Sequence, residues 1–485
     1  MQRLDADGYR TWPDSGLVVS SHPQNSAIFR YDLQGDGHGN AIVAFQDERT
    51  GALDIVAYKI GPDGSFLWGP DGVELPTPGT TGLAPVVAAL GNGNTAIAWT
   101  TNDSPGKAAA QVLDPVGAQL LATPIEISAS TTVGRPKLIA MGDGGFIMQY
   151  VVSNGGFGLP PGTMYAMRYN AVGNAIWANA VQVSSKSIPF FFFPEPVADG
   201  HDGYYVAFNT GNPDNASYTD VFTQRVRGNG TLWSVDGTRL DNSVLIQKFS
   251  VGKGLALVGD DAGLMVPLHV TDGAQGQHGV AVQGLDTAGN RLLGDLAISV
   301  IPMGSTPVEP WDISAIADGA VIAHVSGDFG QVHIAATRVG LDGTPFWTPA
   351  QRDISTVNSN KDDVQLTEME DGQVAVVWQD DRNPNGIYAQ HIDSLDISTG
   401  IVAPPAQHDL VRLEQNPAVA PVLLLAPGFR TGTDVQVFDA QGRSVYSAQL
   451  PSVDRAPLPL ASLPGGLYTI RITGKGNTAL VRWMK

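Results

Sequence analysis

The sequence predicts an all-β protein: a seven-bladed β-propeller over residues 1–397, a linker at 398–408 and a small antiparallel β-sandwich over 409–485. Three observations predict it. A hairpin motif ending in a large apolar anchor recurs seven times. Apolar strands recur in step with it. The composition changes near residue 399.

The motif is clearest at 58–68, YKIGPDGSFLW. It reads as a strand end, an Asp-Gly turn and a second short strand. Gly64 accepts positive φ, and the Asp63 side chain can bond to nearby backbone. Copies read MQRLDADGYRTW, RYNAVGNAIW, QRVRGNGTLW and RVGLDGTPFW, with degenerate copies QVLDPVGAQLL and GLDTAGNRLL. The anchors are Trp12, Trp68, Leu121, Trp177, Trp233, Leu293 and Trp347, spaced by 56, 53, 56, 56, 60 and 54 residues. A period of this length marks a repeat architecture.

Between the anchors runs a seven-fold apolar strand, first seen at 40–46 (NAIVAFQ) and last at 373–378 (QVAVVW). Its small residues, Ala44, Ala98, Ala207, Ala323 and Ala375, suit a crowded position, so it is placed toward the inner part of each blade. Four short strands per repeat, with no helical period, fit a propeller blade. The first hairpin motif precedes the first apolar strand, and the last apolar strand has no motif after it. Closure is therefore expected to be circular, residues 1–20 completing the blade of 362–392 and removing the exposed edges.

Formal net charge is −19 and only 15% of residues are charged, which excludes the basic footprint of a nucleic-acid binder. No apolar run is long enough for a membrane-spanning helix. There is no cysteine, hence no disulfide scaffold or thiolate metal site. No secretory signal is visible, and residues 1–5 start inside a repeat, as expected if an upstream part has been removed.

After the linker, Asn416-Pro417, the strand VQVFD with Gly442-Arg443, and LPGGLY containing Gly465, Gly466 and Tyr468 stand in order. Together they resemble the type A sorting domain of proteins exported by the type IX system of Bacteroidota-like bacteria. The preceding repeats resemble the propeller-like repeats that accompany such domains. The resemblance implies the type IX export machinery as partner and a secreted or outer-surface location. An Asp-box of the sialidase kind is not matched, because Asp63-Gly64 and Asp342-Gly343 are adjacent.

Function is sought in the variable hairpins that follow the apolar strands, since insertions on one face of a ring are where binding concentrates. Asp47, Glu48, Asp380 and Asp381 fall in equivalent hairpins of the first and last blades. They could meet as a glycosidase pair or a cation or glycan contact, but bonds to turn amides, Arg49 and Arg382 are the simpler use. Phe190, Phe191, Phe192 and Phe193 stand between prolines. They read as a connector or as a recognition surface. The histidines show no ligand spacing, although His269 and His278, and His324 and His333, could approach across hairpins. Calcium is the ion that loops such as Asp202, Asn212, Asp214, Asn215 and Asp220 would suit, though turn residues facing water are the plainer reading.

The leading expectation is a non-enzymatic binding, adhesion or structural protein of the cell surface with a glycan or surface-protein partner, and no cofactor required. It forbids a pocket of converging acid and base groups. The alternatives are a polysaccharide-acting enzyme on the propeller, which needs two carboxylates facing a cleft, and a subunit of a larger surface assembly.

Overall fold

The computed structural model describes residues 1–393 and 411–484, apart from 6, 7, 9, 14, 25–30, 52, 76, 78–80, 154–160, 190–193, 251–253, 259–262, 317, 369–372, 417, 418, 426–432, 440–442, 452, 454, 461, 465, 466, 475 and 476. Two compact units are present, Met1–Ser398 and Thr399–Lys485. Among the described residues every regular element is a strand. No helix is long and apolar enough to cross a membrane.

The first unit is a propeller-like succession of antiparallel sheets, each an up-and-down meander. Its first sheet runs Asp32–Gly35, Ala41–Asp47, Asp54–Ile60, Val73–Leu75. The second runs Gly82–Ala89, Thr95–Thr101, Ala108–Leu113, Ile125–Ile127, and the third Thr132–Ala140, Phe146–Ser153, Gly162–Tyr169, Val181–Gln182. The fourth comprises Pro196–Ala198, Tyr204–Gly211, Thr219–Val226 and Thr238–Arg239. In the fifth, Ile246–Phe249 and Ala256–Val258 both pair with Gly263–Asp272, followed by His278–Leu285 and Ile298–Gly304. The sixth is Val308–Ile316, Gly319–Ser326, His333–Gly340 and Gln351–Ser355. The seventh shows three strands, Lys361–Glu368, Gln373–Asp380 and Gly386–Asp393.

The hairpin motif recurs as read. Each copy closes with one antiparallel bridge between residues six apart: Leu4–Arg10, Ile60–Phe66, Leu113–Gln119, Tyr169–Ala175, Val226–Leu232, Leu285–Arg291 and Val339–Pro345. Its glycine has two reasons to be glycine. Gly64 sits at φ 84°, and a Cβ there would come within 3.4 Å of Trp12 Nε1. Likewise Trp68 packs on Gly117, Leu121 on Gly173, Trp177 on Gly230, Trp233 on Gly289 and Leu293 on Gly343. Six of the seven anchors therefore seat on the turn of the next copy. The tryptophan indoles also donate across the seam: Trp12 to Pro62 O (3.1 Å), Trp68 to Pro115 O (3.1 Å), Trp177 to Gly228 O (2.7 Å) and Trp233 to Thr287 O (3.0 Å).

The apolar strands are second in their sheets, with Ala41–Asp47, Thr95–Thr101 and Tyr204–Gly211 buried along nearly all their length, and a first strand lies beyond each. That first strand joins neighbouring sheets. Asp32 Oδ2 accepts from the Val87 amide at 2.8 Å, and at the matching rung Asp312 Oδ2 accepts from the Leu366 amide at 2.7 Å. First strands also bulge: ladder pairing skips at Ala84, Arg135, Trp311 and Asp363, and Ala84, Arg135 and Asp363 adopt positive φ. A bulge bends the strand and re-aims the side chain it carries.

Residues 1–24 lie on the first sheet: the Met1 amine donates to Leu17 O (2.8 Å), Trp12 joins the Val43–Tyr58 core, and Glu48 N reaches Pro23 O (2.8 Å). Among the described residues this segment forms no ladder with the seventh sheet.

The second unit has a three-stranded sheet (Val411–Asn416, Val419–Leu425, Arg455–Pro457) and a four-stranded one (Ser444–Leu450, Thr433–Phe438, Leu467–Gly474, Asn477–Met484). They share a core that includes Leu423, Val435, Leu458, Ile470 and Trp483. The prolines at 457 and 459 confine Arg455–Pro457 to an edge, where a missing N–H is tolerated. Asn416 ends a strand, while Pro417, Gly442, Gly465 and Gly466 lie outside the described residues. Tyr468 is buried, 5.4 Å from the Trp483 ring, with its hydroxyl on Pro464 O at 2.8 Å.

Candidate functional site

The acids singled out in the variable hairpins are each held within or beside their own sheet. Asp47 is fully buried and clamped by Arg49 (Nη2–Oδ2 2.7 Å), which also reaches Tyr58 Oη. Asp380 takes hydrogen bonds from Arg382, from Trp378 Nε1 (2.9 Å) and from the Arg382 amide, with Lys361 Nζ at 3.8 Å. Burial alone would raise the Asp380 carboxyl, but the bonds from Arg382, Trp378 and Ser359 outweigh it and hold it below the usual carboxylate range. Asp381 accepts from Asn360 N and Nδ2 at 2.7 and 2.6 Å, and Glu48 N caps Pro23. Asp47 and Asp380 thus make the Arg49 and Arg382 contacts that were the simpler expectation, and the arginines engage both buried acids. Phe190, Phe191, Phe192 and Phe193 lie outside the described residues.

In the fourth sheet, cationic side chains engage the loop oxygens that were considered for calcium. Arg239 reaches Asp220 (2.6 Å), Asp214 (2.5 Å) and Asn212 Oδ1 (3.1 Å), and Lys248 reaches Asp220 at 3.3 Å. A guanidinium takes the oxygens that a cation would need. Among the described residues no three His, Cys, Asp or Glu side chains gather as a metal site.

Converging acid and base groups do occur, on the first strands. Asp32 of the first sheet feels both Lys137 of the third and Glu195, which precedes the fourth. Lys137 Nζ and Glu195 Oε1 form a short, half-exposed ion pair. Burial is the largest influence on Asp32 and pushes its carboxyl up. The Val87 amide and Lys137 pull it back, and the Glu195 charge adds to the rise. Arg135, two residues before Lys137, occupies the bulge; burial lowers its guanidinium to about 10 and Glu195 opposes that fall. Tyr150 stands opposite the bulge, stacked on Tyr165 at 6.0 Å, and burial pushes its phenol up to about 12. Burial drives the Asp32 carboxyl toward its protonated form, and a carboxyl so raised is an element of acid–base chemistry.

Sequence reasoning passed over Asp32, Arg135, Lys137 and Glu195, because it looked for acids in hairpins. The available signal was the charge itself: in a chain with only 15% charged residues, RPK sits inside an otherwise apolar strand at 135–137.

A second constellation lies where the fifth and sixth sheets meet. His269 and His278 do approach across their hairpin, Nε2 to Nδ1 at 3.2 Å. His269 Nδ1 faces Glu309 Oε2 at 3.9 Å, and Trp311 Nε1 donates to Glu309 Oε1 at 3.0 Å. His324 is buried in the sixth sheet, with Thr337 Oγ1 at 3.4 Å, while His333 bonds Asn358 at 2.9 Å; the two do not pair. An open groove of about 470 Å³ among the outer hairpins is lined by Thr238, Gly289, Asn290, Arg291, Gly294 and Asp295, where Arg291 and Asp295 pair at 2.5 Å.

No family model matches the chain, and no curated protein does. Solved structures are similar to it at low identity. Polysaccharide lyase Uly1 is 9% identical, over 81% of this chain and 94% of that one, with a TM-score of 0.42. The α-L-arabinanase of Penicillium chrysogenum, complexed with arabinobiose, is 11% identical over 66% and 96%, with a TM-score of 0.34. The endo-arabinase of Bacteroides thetaiotaomicron is 10% identical over 78% and 98%, with a TM-score of 0.29. The expectation of a non-enzymatic adhesion or structural protein is corrected. It forbids converging acid and base groups, whereas Asp32 lies within electrostatic reach of the Lys137–Glu195 ion pair.

Proposed function

We propose that the protein is a polysaccharide-acting enzyme on a seven-bladed propeller. Asp32 serves as proton donor and Glu195 as the second carboxylate. The observation that carries this reading is the Asp32–Lys137–Glu195 constellation, drawn from the first strands of the first and third sheets and the residue before the fourth. A glycosidase needs one carboxyl held protonated and a second one ionised across the scissile bond. Burial favours the first condition at Asp32. Lys137 is the ion-pair partner of Glu195. Asp32 also clips two sheets together, as Asp312 does elsewhere. The named activities of the propeller neighbours agree with this substrate class.

Seven sheets in the first unit, seven motif bridges and the seating of Trp12 on the first sheet support a closed ring. Residues 1–20 then complete the blade of 362–392. The second unit, read as a β-sandwich, is the sorting domain for type IX export and delivers the enzyme to the cell exterior.

The test is a panel of plant and algal polysaccharides assayed for reducing-end release by wild type, Asp32→Asn and Glu195→Gln. Release by wild type that falls roughly 10²-fold or more in either variant is expected. Turnover unaltered in both variants would overturn the assignment.

A further inference from the structure

The cluster at the junction of the fifth and sixth sheets is preorganised, and its polar groups are of one kind. The His269 and His278 ring centroids are 5.4 Å apart at an interplanar angle of 13°. That separation is close to the 3.2 Å nitrogen contact plus the two ring radii, so the rings meet nearly edge to edge through one N–H···N bond. Lone pairs aimed at each other along one line leave no angle for a shared metal ion, which needs them to converge off that line.

Glu309 Oε2 lies 3.9 Å from His269 Nδ1, beyond hydrogen-bond distance, and one N–H···N contact joins the two rings through His269 Nε2 and His278 Nδ1. His278 Nε2 lies outside that contact. Glu309, 44% exposed at its side chain, has acceptor capacity beyond its bond from Trp311. Trp311 stands at the first-strand bulge with its indole N–H fixed on Glu309. Phe249 packs 5.7 Å from His269. The cluster thus offers an oriented indole, an imidazole nitrogen and a carboxylate charge. A hydroxyl-rich ring fits such a surface, by stacking its C–H face and donating its O–H groups, whereas an anionic ring would meet the Glu309 charge.

We infer that Glu309, Trp311 and His278 form a subsite for a neutral sugar ring of a polysaccharide chain, with His269 as a positioning residue. The subsite rests on the polysaccharide reading above but involves none of the residues proposed for proton transfer. It adds binding energy and leaves bond cleavage to Asp32 and Glu195.

The full chain is titrated calorimetrically with neutral xylan, arabinan and β-glucan oligosaccharides and, as the anionic counterpart, oligogalacturonate. Wild type is expected to bind at least one neutral chain. Trp311→Ala and His278→Ala should weaken that binding about tenfold, and His278→Gln, whose amide oxygen can still accept, should recover part of it. Where wild type turns the chain over, the same variants raise KM with kcat within about twofold, whereas Asp32→Asn lowers kcat and retains binding. Trp311→Phe, with unchanged thermal unfolding, guards against misfolding of the alanine variant. Failure of wild type to bind any neutral chain, preference for oligogalacturonate, or unaltered binding in both Trp311→Phe and His278→Ala would overturn the subsite. Absence of hydrolysis with binding intact would overturn only the catalytic reading.

Discussion

His324 occupies the rung of its sheet that Phe45, Trp99, Tyr150, Phe208 and Trp378 fill in theirs. It is 1% exposed and its Nδ1 has no hydrogen-bond partner. Burial lowers its pKa to about 4. The unfolded chain binds a proton near pH 6.5 that the native state refuses until about 4, so stability falls as pH drops through that window, by roughly 3 kcal/mol at most. Urea unfolding of His324→Phe between pH 7 and 4 should show a flatter decline than wild type; an equally steep one would mean that His324 is not the source. Asp380 gives the opposite kind of test. Asp380→Ala leaves Lys361 and Arg382 beside an empty position, and removing one partner of a buried pair costs about 3–5 kcal/mol. Denaturant midpoints should record that loss while kcat of the folded fraction is retained.

Between residue and sheet, the unit of construction is the anchor on the next turn. Trp68→Ala removes a ring seated on Gly117 and orphans the Pro115 carbonyl, so a loss of about 3–5 kcal/mol is expected by chemical unfolding. Trp68→Leu should lose less, since Leu121 and Leu293 serve at two of the seven positions. The two degenerate copies also lack a basic residue that the others carry. Lys59, Arg168, Arg225 and Arg338, one residue before each bridge, pair with Asp36, Asp143, Asp199 and Asp318. Hydrogen bonds hold Asp36, Asp143 and Asp199 below the usual carboxylate range, against burial. Their contribution is present above about pH 4 and is lost below it as they protonate. The motif was legible because its turn, glycine and anchor are local chemistry with a fixed period. What its letters did not contain was the partner: nothing in the stretch 58–68 says that Trp68 packs on Gly117.

At the scale of the molecule, the recurrence of the hairpin came through in the sequence, as seven bridges of one spacing, and the change of character near residue 399 falls at the boundary between the units. The acid–base constellation did not, because Lys137 is 58 residues from Glu195 and Asp32 lies farther still along the chain, so only the stacking of sheets brings their charges into reach. The division into units makes its own prediction. A chain of residues 1–398 should unfold at the same temperature as the first unit of the full protein, and in a bacterium with type IX secretion it should fail to reach the cell exterior. Surface delivery of that truncated chain would contradict the sorting role.

The catalytic reading and the architectural one diverge at a single pair of residues. Asp32 and Asp312 make the same inter-sheet clip, and Asp32 feels the charges of Lys137 and Glu195. The deciding measurement is kcat of Asp32→Asn beside that of Asp312→Asn, each on the polysaccharide that wild type cleaves. A fall of roughly 10²-fold or more in Asp32→Asn with Asp312→Asn near wild type is predicted; equal losses in the two variants, or none in either, would contradict it.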